Sequence, residues 1–162
     1  MDRINVGIIG TGWCGGIRAD ASFANPLVAD IHIAETNETR LREVVAATHP
    51  VTATTDYRVL LDNPDIHAVM ISATPETTHY PMARDAMSAG KHVFLEKPIA
   101  ITLAEADELV ALSHEKNVKF TIGYSQRFNP KYAYIKRCLE DGTPVQLSGH
   151  FDVLCVHSDN AP

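Results

Sequence analysis

The stretch INVGIIGTGWCG, residues 4–15, decides the fold, because a short apolar run leads directly into a glycine-rich turn. The run is nearly all apolar, as expected of a β-strand covered on both faces. The turn matches Gly-x-Gly-x-x-Gly at Gly10, Gly12 and Gly15. In a strand–turn–helix unit, the first glycine allows a tight turn, the second lets the backbone approach a pyrophosphate, and the third packs the helix against the strand. Such turns also occur for packing alone, so the motif needs support from its surroundings.

Glu35 supplies that support, because it lies twenty residues after Gly15 at the end of the second predicted strand. A carboxylate there accepts hydrogen bonds from the adenine-ribose hydroxyls and repels a 2′-phosphate, which favours NAD over NADP. Arg40 could reach a 2′-phosphate, so NADP remains the alternative. The competing interpretation is that Glu35 is a solvated residue at a helix start, but the whole fingerprint favours a dinucleotide site.

Short β-branched runs alternate with helical patterns over residues 1–122, which predicts an α/β fold with a doubly wound parallel sheet, the Rossmann arrangement. The predicted strands cover residues 3–9, 27–34, 51–54, 68–72, 92–95 and 118–122. A first helix is predicted over residues 15–25. A second is indicated by Leu41, Val44 and Val45, which mark its core face, and a third follows the fourth strand and ends at Gly90. A fourth helix opens at a capping box, Thr102 with Glu105, carries Leu103, Ala106, Leu109 and Val110, and is closed by Asn117.

Residues 123–162 are predicted to be only the start of a second, α+β domain. Asn129 and Pro130 form an N-cap and first-turn pair for a helix with an apolar face of Tyr132, Ile135 and Leu139, ended by Gly142. Residues 145–155 are predicted to form one extended strand. We expect this strand to pair with another copy of the chain or to be disordered, since it would leave an unpaired edge.

Composition limits the kinds of partner. The formal net charge of −6 argues against nucleic-acid binding, and no apolar run is long enough for a membrane span or a signal peptide. The cysteines Cys14, Cys138 and Cys155 form no Cys-x-x-Cys pair, so we expect a reduced, cytoplasmic setting. We also expect a small-molecule partner and a homo-oligomer. No metal site is predicted, because His150, Cys155 and His157 lack a fourth ligand and a recognised spacing.

Further polar motifs follow the fourth and fifth predicted strands, where open α/β sheets bind ligands. The first is ATPETTH at residues 73–79; GKHV at residues 90–93 leads into the fifth strand, and Glu96-Lys97-Pro98 follows it. Lys97 is the chemical candidate, because an ammonium group can lower the pKa of a substrate hydroxyl or relay its proton while hydride leaves carbon. The alternative is a surface lysine paired with Glu96.

These motifs, in this order and followed by GYSQRFNP at residues 123–130, closely resemble the glucose–fructose oxidoreductase/inositol dehydrogenase (Gfo/Idh/MocA) family over about residues 3–142. The resemblance implies NAD(P)-dependent hydride transfer to or from a hydroxyl-bearing carbon of a sugar, inositol or related polyol. It places the three glycines at the pyrophosphate and Glu35 at the adenosine ribose. It also places a cofactor groove along Thr74, Pro75 and His79, with Glu96 near the nicotinamide.

By the same resemblance, Lys97 is the catalytic or substrate-orienting lysine, and Pro98 shapes its turn through a cis bond. Tyr124 and Arg127 match positions that face substrate, and Arg127 matches a cofactor position as well. Trp13 and Cys14 lie within the glycine turn and are counted with the cofactor site. Trp13 could cover the pyrophosphate or pack at the domain edge. The alternative for Cys14 is that it is only a small residue tolerated at a variable position of the motif.

Members of that family are considerably longer, and their second domain usually supplies a histidine in an Asp-x-x-x-His pattern. Asp152 and His157 are five positions apart, and we interpret them as coincidental neighbours. We therefore expect a truncated chain that is inactive, or nearly so, on its own. The alternative function is a catalytically inactive dinucleotide-binding or sensor protein, and a structural or interaction role is a weaker third.

Overall fold

The central feature of the computed structural model, which describes residues 3–141, is one six-stranded sheet in the order β3-β2-β1-β4-β5-β6. Every neighbouring pair of strands is parallel. The strands are β1 (Ile4–Ile9), β2 (Val28–Ala34), β3 (Thr52–Thr54), β4 (Ala68–Ile71), β5 (His92–Leu95) and β6 (Phe120–Ile122). The strand order reverses between β1 and β4, so the predicted doubly wound Rossmann sheet is confirmed.

Five helices connect successive strands: α1 (Trp13–Phe23), α2 (Glu38–Thr48), α3 (Arg58–Asp62), α4 (His79–Ser88) and α5 (Leu103–Glu115). A sixth helix, α6 (Pro130–Glu140), follows β6. The short 3₁₀ helices Glu76–Thr78 and Ser125–Phe128 precede α4 and α6. The six strands predicted within residues 1–122 are present within two residues of their predicted bounds. The predicted Thr102–Glu105 capping box forms both of its hydrogen bonds, and Asn117 adopts a positive φ after α5, as a helix-ending asparagine does.

The core lies on both faces of the sheet, because successive strand residues point to opposite sides. Ile8 belongs to a cluster with residues of β2, α1 and α2, whereas the adjacent Ile9 belongs to the larger cluster beneath α4 and α5. Residues in both clusters are almost completely buried, including Ile33, Ile71, Met87, Leu95 and Leu109. The continuous apolar strands of the sequence are explained by this burial on both sides.

Two helix faces differ from the prediction. In α5, Leu103 is 77% exposed and Val110 is also exposed, while Leu109 is buried. In α6, Leu139 and Tyr132 are exposed and Cys138 is the buried residue. The expected apolar faces were therefore only partly right: Leu109 is buried as predicted and Ala106 and Ile135 are half-buried, whereas the other predicted positions are exposed. An approximate 3.6-residue pattern does not fix which neighbouring position faces the core.

The described chain divides into two compact units, one ending at Tyr124 and one beginning at Ser125. In the second unit, the Asn129 side chain accepts a hydrogen bond from the Lys131 N–H at 3.0 Å and Pro130 occupies the first turn of α6, as predicted. The assignment of residues 123–162 to a second domain stays a prediction. Gly142, the predicted strand at 145–155 and the side chains of His150, Cys155 and His157 lie outside the described residues. Over residues 3–141, none of the helices has the length and apolar character needed to cross a bilayer.

Candidate nucleotide-binding site

The carboxyl ends of β1, β2, β4 and β5 carry the candidate site, on both sides of the point where the strand order reverses. Open α/β sheets bind ligands in the crevice at such a point. The glycine turn follows β1, Glu35 follows β2, and the motifs at residues 73–79 and 96–98 follow β4 and β5. The fold therefore brings the glycine turn, Glu35 and the motifs at residues 73–79 and 96–98 to one edge of the sheet.

The three glycines of the turn have different reasons to lack a side chain. Gly10 has a φ of +79°, and a Cβ there would lie 2.7 Å from the Cα of Ala73. A Cβ on Gly15 would lie 1.9 Å from the carbonyl oxygen of Gly10, so the close approach of α1 to the turn depends on Gly15. A Cβ on Gly12 would have no described atom within 4 Å. Packing therefore requires Gly10 and Gly15, whereas Gly12 leaves open space for a ligand.

Gly12 is also the N-cap of α1, and no side chain caps this helix. The first N–H groups of an α-helix have no partner within the helix and attract anions. Trp13 and Cys14 are the first two residues of α1; the Trp13 side chain is 83% exposed and Cys14 is partly buried. The turn thus presents backbone donors beside open space, which suits a pyrophosphate.

The Glu35 carboxylate is held in place by hydrogen bonds from two directions. Its Oε2 accepts from the N–H and the hydroxyl of Thr11 at 2.7 and 2.9 Å, and its Oε1 accepts from the N–H of Asn37 at 2.9 Å. Burial alone would raise the pKa of Glu35. The hydrogen bonds from Asn37 and Thr11 and the charge of Arg40 together outweigh burial and lower the pKa of Glu35 below the usual glutamate value. Glu35 is therefore a fixed anion at neutral pH.

The guanidinium of Arg40, the residue that could favour NADP, already binds other groups of the protein. Its Nε donates to the carbonyl oxygen of Thr11 at 2.7 Å, and its Nη1 pairs with Glu43 at 3.0 Å. To reach a 2′-phosphate, the guanidinium would have to give up these contacts beside the negative charge of Glu35.

A pocket of about 150 Å³ opens next to Glu35, between the ends of β1, β2 and β4. Apolar side chains and four threonines form much of its wall, and one of these threonines, Thr74, belongs to the predicted groove. Its lining residues are Ile9, Gly10, Ala34, Glu35, Thr36, Thr55, Tyr57, Ala73, Thr74, Thr78 and Met82. A mostly apolar concave surface with one fixed carboxylate at its edge matches the needs of an adenosine group.

His79 connects the two motifs that follow β4 and β5. The residue is 2% exposed; its Nδ1 lies 2.7 Å from the carbonyl oxygen of Pro98 and its Nε2 lies 3.1 Å from that of Ala73. The peptide bonds before Pro98 and Pro75 are both cis; the first was predicted and the second was not. The described polar contacts of His79 are thus with the backbone of both turns. His79 is not among the residues that line the pocket, whereas its neighbour Thr78 is.

Arg18 is the site residue that the sequence did not indicate. From α1, its Nη2 forms an ion pair with Oε2 of Glu96, and its Nη1 donates to the Ser72 hydroxyl at 2.9 Å. The guanidinium also lies 4.7 Å from the centroid of the Phe94 ring. The Arg18 and Glu96 side chains are only 17% and 14% exposed. A Cβ on Gly123 would approach Glu96 to 2.9 Å, so the backbone after β6 closes over the pair.

Lys97 is exposed at the end of β5 and, among residues 3–141, has no hydrogen-bond or ion-pair partner. The alternative interpretation, a surface lysine paired with Glu96, is wrong in its pairing, because Glu96 pairs with Arg18. The ammonium group of Lys97 is therefore available to a ligand on the face where the sheet binds one.

The GKHV motif has a different position. Lys91 is 5% exposed and donates to the carbonyl oxygen of Asn63 at 2.6 Å, at the amino end of β5 and away from the candidate site. Burial lowers the pKa of Lys91, against the opposing charges of Asp62 and Asp65. This lysine fastens the loop before β4 to the start of β5.

Tyr124 and Arg127 belong to different units. Tyr124 is exposed at the end of the first unit, and Arg127 lies in the 3₁₀ helix Ser125–Phe128 of the second. Their roles toward substrate and cofactor stay predictions. In the part of the chain that the structure describes, no group of His, Cys, Asp and Glu side chains is arranged to hold a metal ion.

Comparisons with known proteins agree with this geometry. The model of the oxidoreductase family with an NAD-binding Rossmann fold (Gfo/Idh/MocA) matches residues 4–124. Levoglucosan dehydrogenase of Pseudarthrobacter phenanthrenivorans is 34% identical over 88% of this chain and 38% of its own length. Myo-inositol 2-dehydrogenase of Thermotoga maritima is 29% identical over 86% of this chain and 42% of its own.

The same relationship extends to a solved structure. The crystal structure of scyllo-inositol dehydrogenase from Lactobacillus casei, with bound NAD(H) and scyllo-inositol, has a TM-score of 0.81 and 26% identity, and the match covers 87% of this chain and 42% of that one. The chain thus spans about two-fifths of the length of the relatives that it matches.

Proposed function

Because the chain belongs to the oxidoreductase family with an NAD-binding Rossmann fold, we propose that the protein serves hydride transfer between NAD and a hydroxyl-bearing carbon of a sugar, inositol or related polyol. The observation that carries this proposal is the combination of open space at Gly12, in the turn after β1, with a fixed carboxylate at Glu35, which lines the pocket after β2. These are the two contacts that a dinucleotide requires of a Rossmann sheet, for its pyrophosphate and its adenosine ribose.

Glu35 supports a preference for NAD over NADP. Its carboxylate accepts three hydrogen bonds from Thr11 and Asn37, which leaves roughly one of about four acceptor positions for a ribose hydroxyl. A 2′-phosphate would meet this anion, while the nearest guanidinium, that of Arg40, is engaged by Thr11 and Glu43. We therefore favour NAD as the cofactor, with NADP as the weaker alternative.

Lys97 is the proposed catalytic residue. The nicotinamide ring, when bound, supplies the hydride acceptor or donor. An ammonium group beside the substrate hydroxyl stabilises the negative charge that develops on oxygen, and positioned proton transfer of this kind contributes about 10²–10⁴-fold to a rate. Lys97 suits this role because its charge is exposed on the ligand-binding edge of the sheet and is not neutralised by Glu96.

The proposed substrate class rests on the relatives. Their names specify levoglucosan and myo-inositol dehydrogenases, and the similar solved structure contains scyllo-inositol. All three compounds carry several hydroxyl groups on a ring. A sugar, inositol or related polyol is therefore the substrate class that we propose for the whole protein.

The cofactor assignment is tested by titrating NAD, NADH and NADP while following Trp13, which is the single tryptophan of the chain and lies at the glycine turn. We expect saturable binding. In Glu35→Ala, the affinity for NAD should fall by about tenfold and the ratio of NADP to NAD affinity should rise, because the ribose acceptor and the repelling charge are lost together.

Glu38→Ala is the matched control, because it removes an exposed carboxylate three residues away on α2. That variant should keep the wild-type ratio of NADP to NAD affinity. Folded protein that binds none of the three nucleotides at millimolar concentration would refute the proposed function. An unchanged ratio in Glu35→Ala would refute the role of Glu35 alone.

A further inference from the structure

The Arg18–Glu96 pair is a charged feature of the site that the pyrophosphate turn and the Glu35 pocket do not use. It joins α1 to the turn after β5, and it is fixed by a hydrogen bond to Ser72, by the Phe94 ring and by the backbone at Gly123. The limited exposure of both side chains means that solvent screens their charges only partly. Removing either partner would therefore leave a poorly screened charge at this position.

The position of the pair identifies the ligand group that would sense its charge. A Rossmann sheet consists of two mononucleotide-binding halves, which meet where the strand order reverses. Glu35 follows β2, in the half that takes the adenosine. Ser72 and Glu96 follow β4 and β5, in the other half. The Glu96 carboxylate, which Arg18 reaches from α1, therefore lies in the half that receives the nicotinamide nucleotide.

Nicotinamide differs in charge between its two redox states, because the oxidised ring is a cation and the reduced ring is neutral. A carboxylate near the ring without a cationic partner favours the oxidised form, and a guanidinium without an anionic partner disfavours it. At the effective dielectric constant of about 20 that applies near protein surfaces, one unit charge several ångströms away changes an affinity by a several-fold factor or more.

We propose that the Arg18–Glu96 pair sets the relative affinity of this site for oxidised and reduced nicotinamide. Arg18 is a positioning residue: it holds the Glu96 carboxylate and cancels its preference for the oxidised ring. The proposal rests on the proposed NAD site but assigns a function to Arg18, which the glycine fingerprint does not include. Lys97 keeps its charge in every comparison below, so its own effect on the ring cancels.

The experiment measures the dissociation constants of NAD⁺, NADH and ADP-ribose by calorimetry for the wild type, Arg18→Met, Glu96→Gln and the double variant. ADP-ribose carries the adenosine and pyrophosphate groups without a nicotinamide ring. We expect Arg18→Met to favour NAD⁺ over NADH by about threefold or more relative to the wild type, and Glu96→Gln to shift the same ratio in the opposite direction. The double variant should return to within about twofold of the wild-type ratio, since it removes both charges.

The matched controls are Lys116→Met and Glu115→Gln, which break an ion pair of 3.1 Å at the end of α5, near the opposite edge of the sheet. These variants make the same changes of charge and should leave the NAD⁺ to NADH ratio unchanged. Affinity for ADP-ribose should remain within about twofold of the wild type in every variant. This ligand separates an effect on the ring from a general loss of structure.

The outcomes distinguish the two proposals. If the wild type fails to bind ADP-ribose and both nucleotides, the proposed NAD site fails, and this inference fails with it. If ADP-ribose binds but the ratio stays flat, or shifts in the same direction in both single variants, only the role of the pair is overturned. Equal losses of affinity for all three ligands would show that the pair is merely structural and would also overturn the inference.

Discussion

Replacement of Gly12 by alanine should weaken NAD binding much more than it weakens the fold. The structure gives the reason: a Cβ at this position meets no described atom within 4 Å, and the φ of −56° suits an L-residue. The expected loss of folding stability is about 1 kcal/mol or less, which is the difference between glycine and alanine as the N-cap of a helix. The added methyl group therefore affects the space open to a ligand at the turn and leaves the packing of the protein unchanged.

The loss of binding follows from the distance at which a phosphate must lie. A backbone N–H donates to a phosphate oxygen at about 2.9 Å, whereas a methyl carbon needs about 3.5 Å or more from its neighbours. A Cβ on Gly12 would push the pyrophosphate away from the turn and lengthen at least one charge-assisted hydrogen bond. Such a bond contributes about 1.5–3 kcal/mol, so the affinity for NAD should fall by about 10- to 150-fold.

Gly90→Ala is the control, because Gly90 also has open space around its Cβ position but lies after α4, at the opposite edge of the sheet. Its φ of +75° is left-handed, so alanine there should cost about 1–2 kcal/mol of stability and leave the NAD affinity unchanged. Thermal unfolding and calorimetric NAD titration on both variants decide the matter. Wild-type NAD affinity in Gly12→Ala, or an equal loss of affinity in Gly90→Ala, would refute the reasoning.

Two further predictions concern buried histidines. His79→Leu should lower the stability by about 1–3 kcal/mol, because the buried imidazole lies within hydrogen-bond distance of a carbonyl oxygen in each of the two turns and leucine donates no hydrogen bond; an unchanged melting temperature would contradict this. Burial lowers the pKa of His32, against the charges of Asp30 and Asp65, so the unfolded chain binds the proton more readily. Stability should therefore fall as the pH drops from about 6.5 through the lowered pKa. Urea unfolding at several pH values should show a smaller fall in His32→Leu and the wild-type fall in the control His114→Gln, since His114 is exposed.

The fold could be predicted because its signals are local. Each strand is a short apolar run of its own, and the glycine turn and the Thr102–Glu105 capping box are defined by spacings of a few residues. The five-residue helix α3 was missed, because one turn and a half is too short to show a helical period. The exposed Leu103 shows the related limit: an apolar residue near a helix start matches the period whether or not a neighbour covers it.

The partners of the site residues could not be predicted in the same way, because the sheet order selects them. Glu96 follows β5, and the sequence offers the adjacent Lys97 as its obvious counter-ion. The fold instead places α1 against the end of β4, the neighbour of β5, so that Arg18 reaches across both strand ends to Ser72 and Glu96.

This exchange of partners changes what each charge can do. Sequence motifs identify which residue types follow the strands. They do not show whether a carboxylate presents its negative charge to a ligand or is neutralised by a guanidinium. In the structure, Glu96 is not a free acceptor, because it forms an ion pair with Arg18. The ammonium of Lys97 is exposed and unpaired among the described residues. In the proposed function, a pyridinium ring and a substrate hydroxyl would meet the uncompensated charge of Lys97 at this edge, because Arg18 neutralises Glu96.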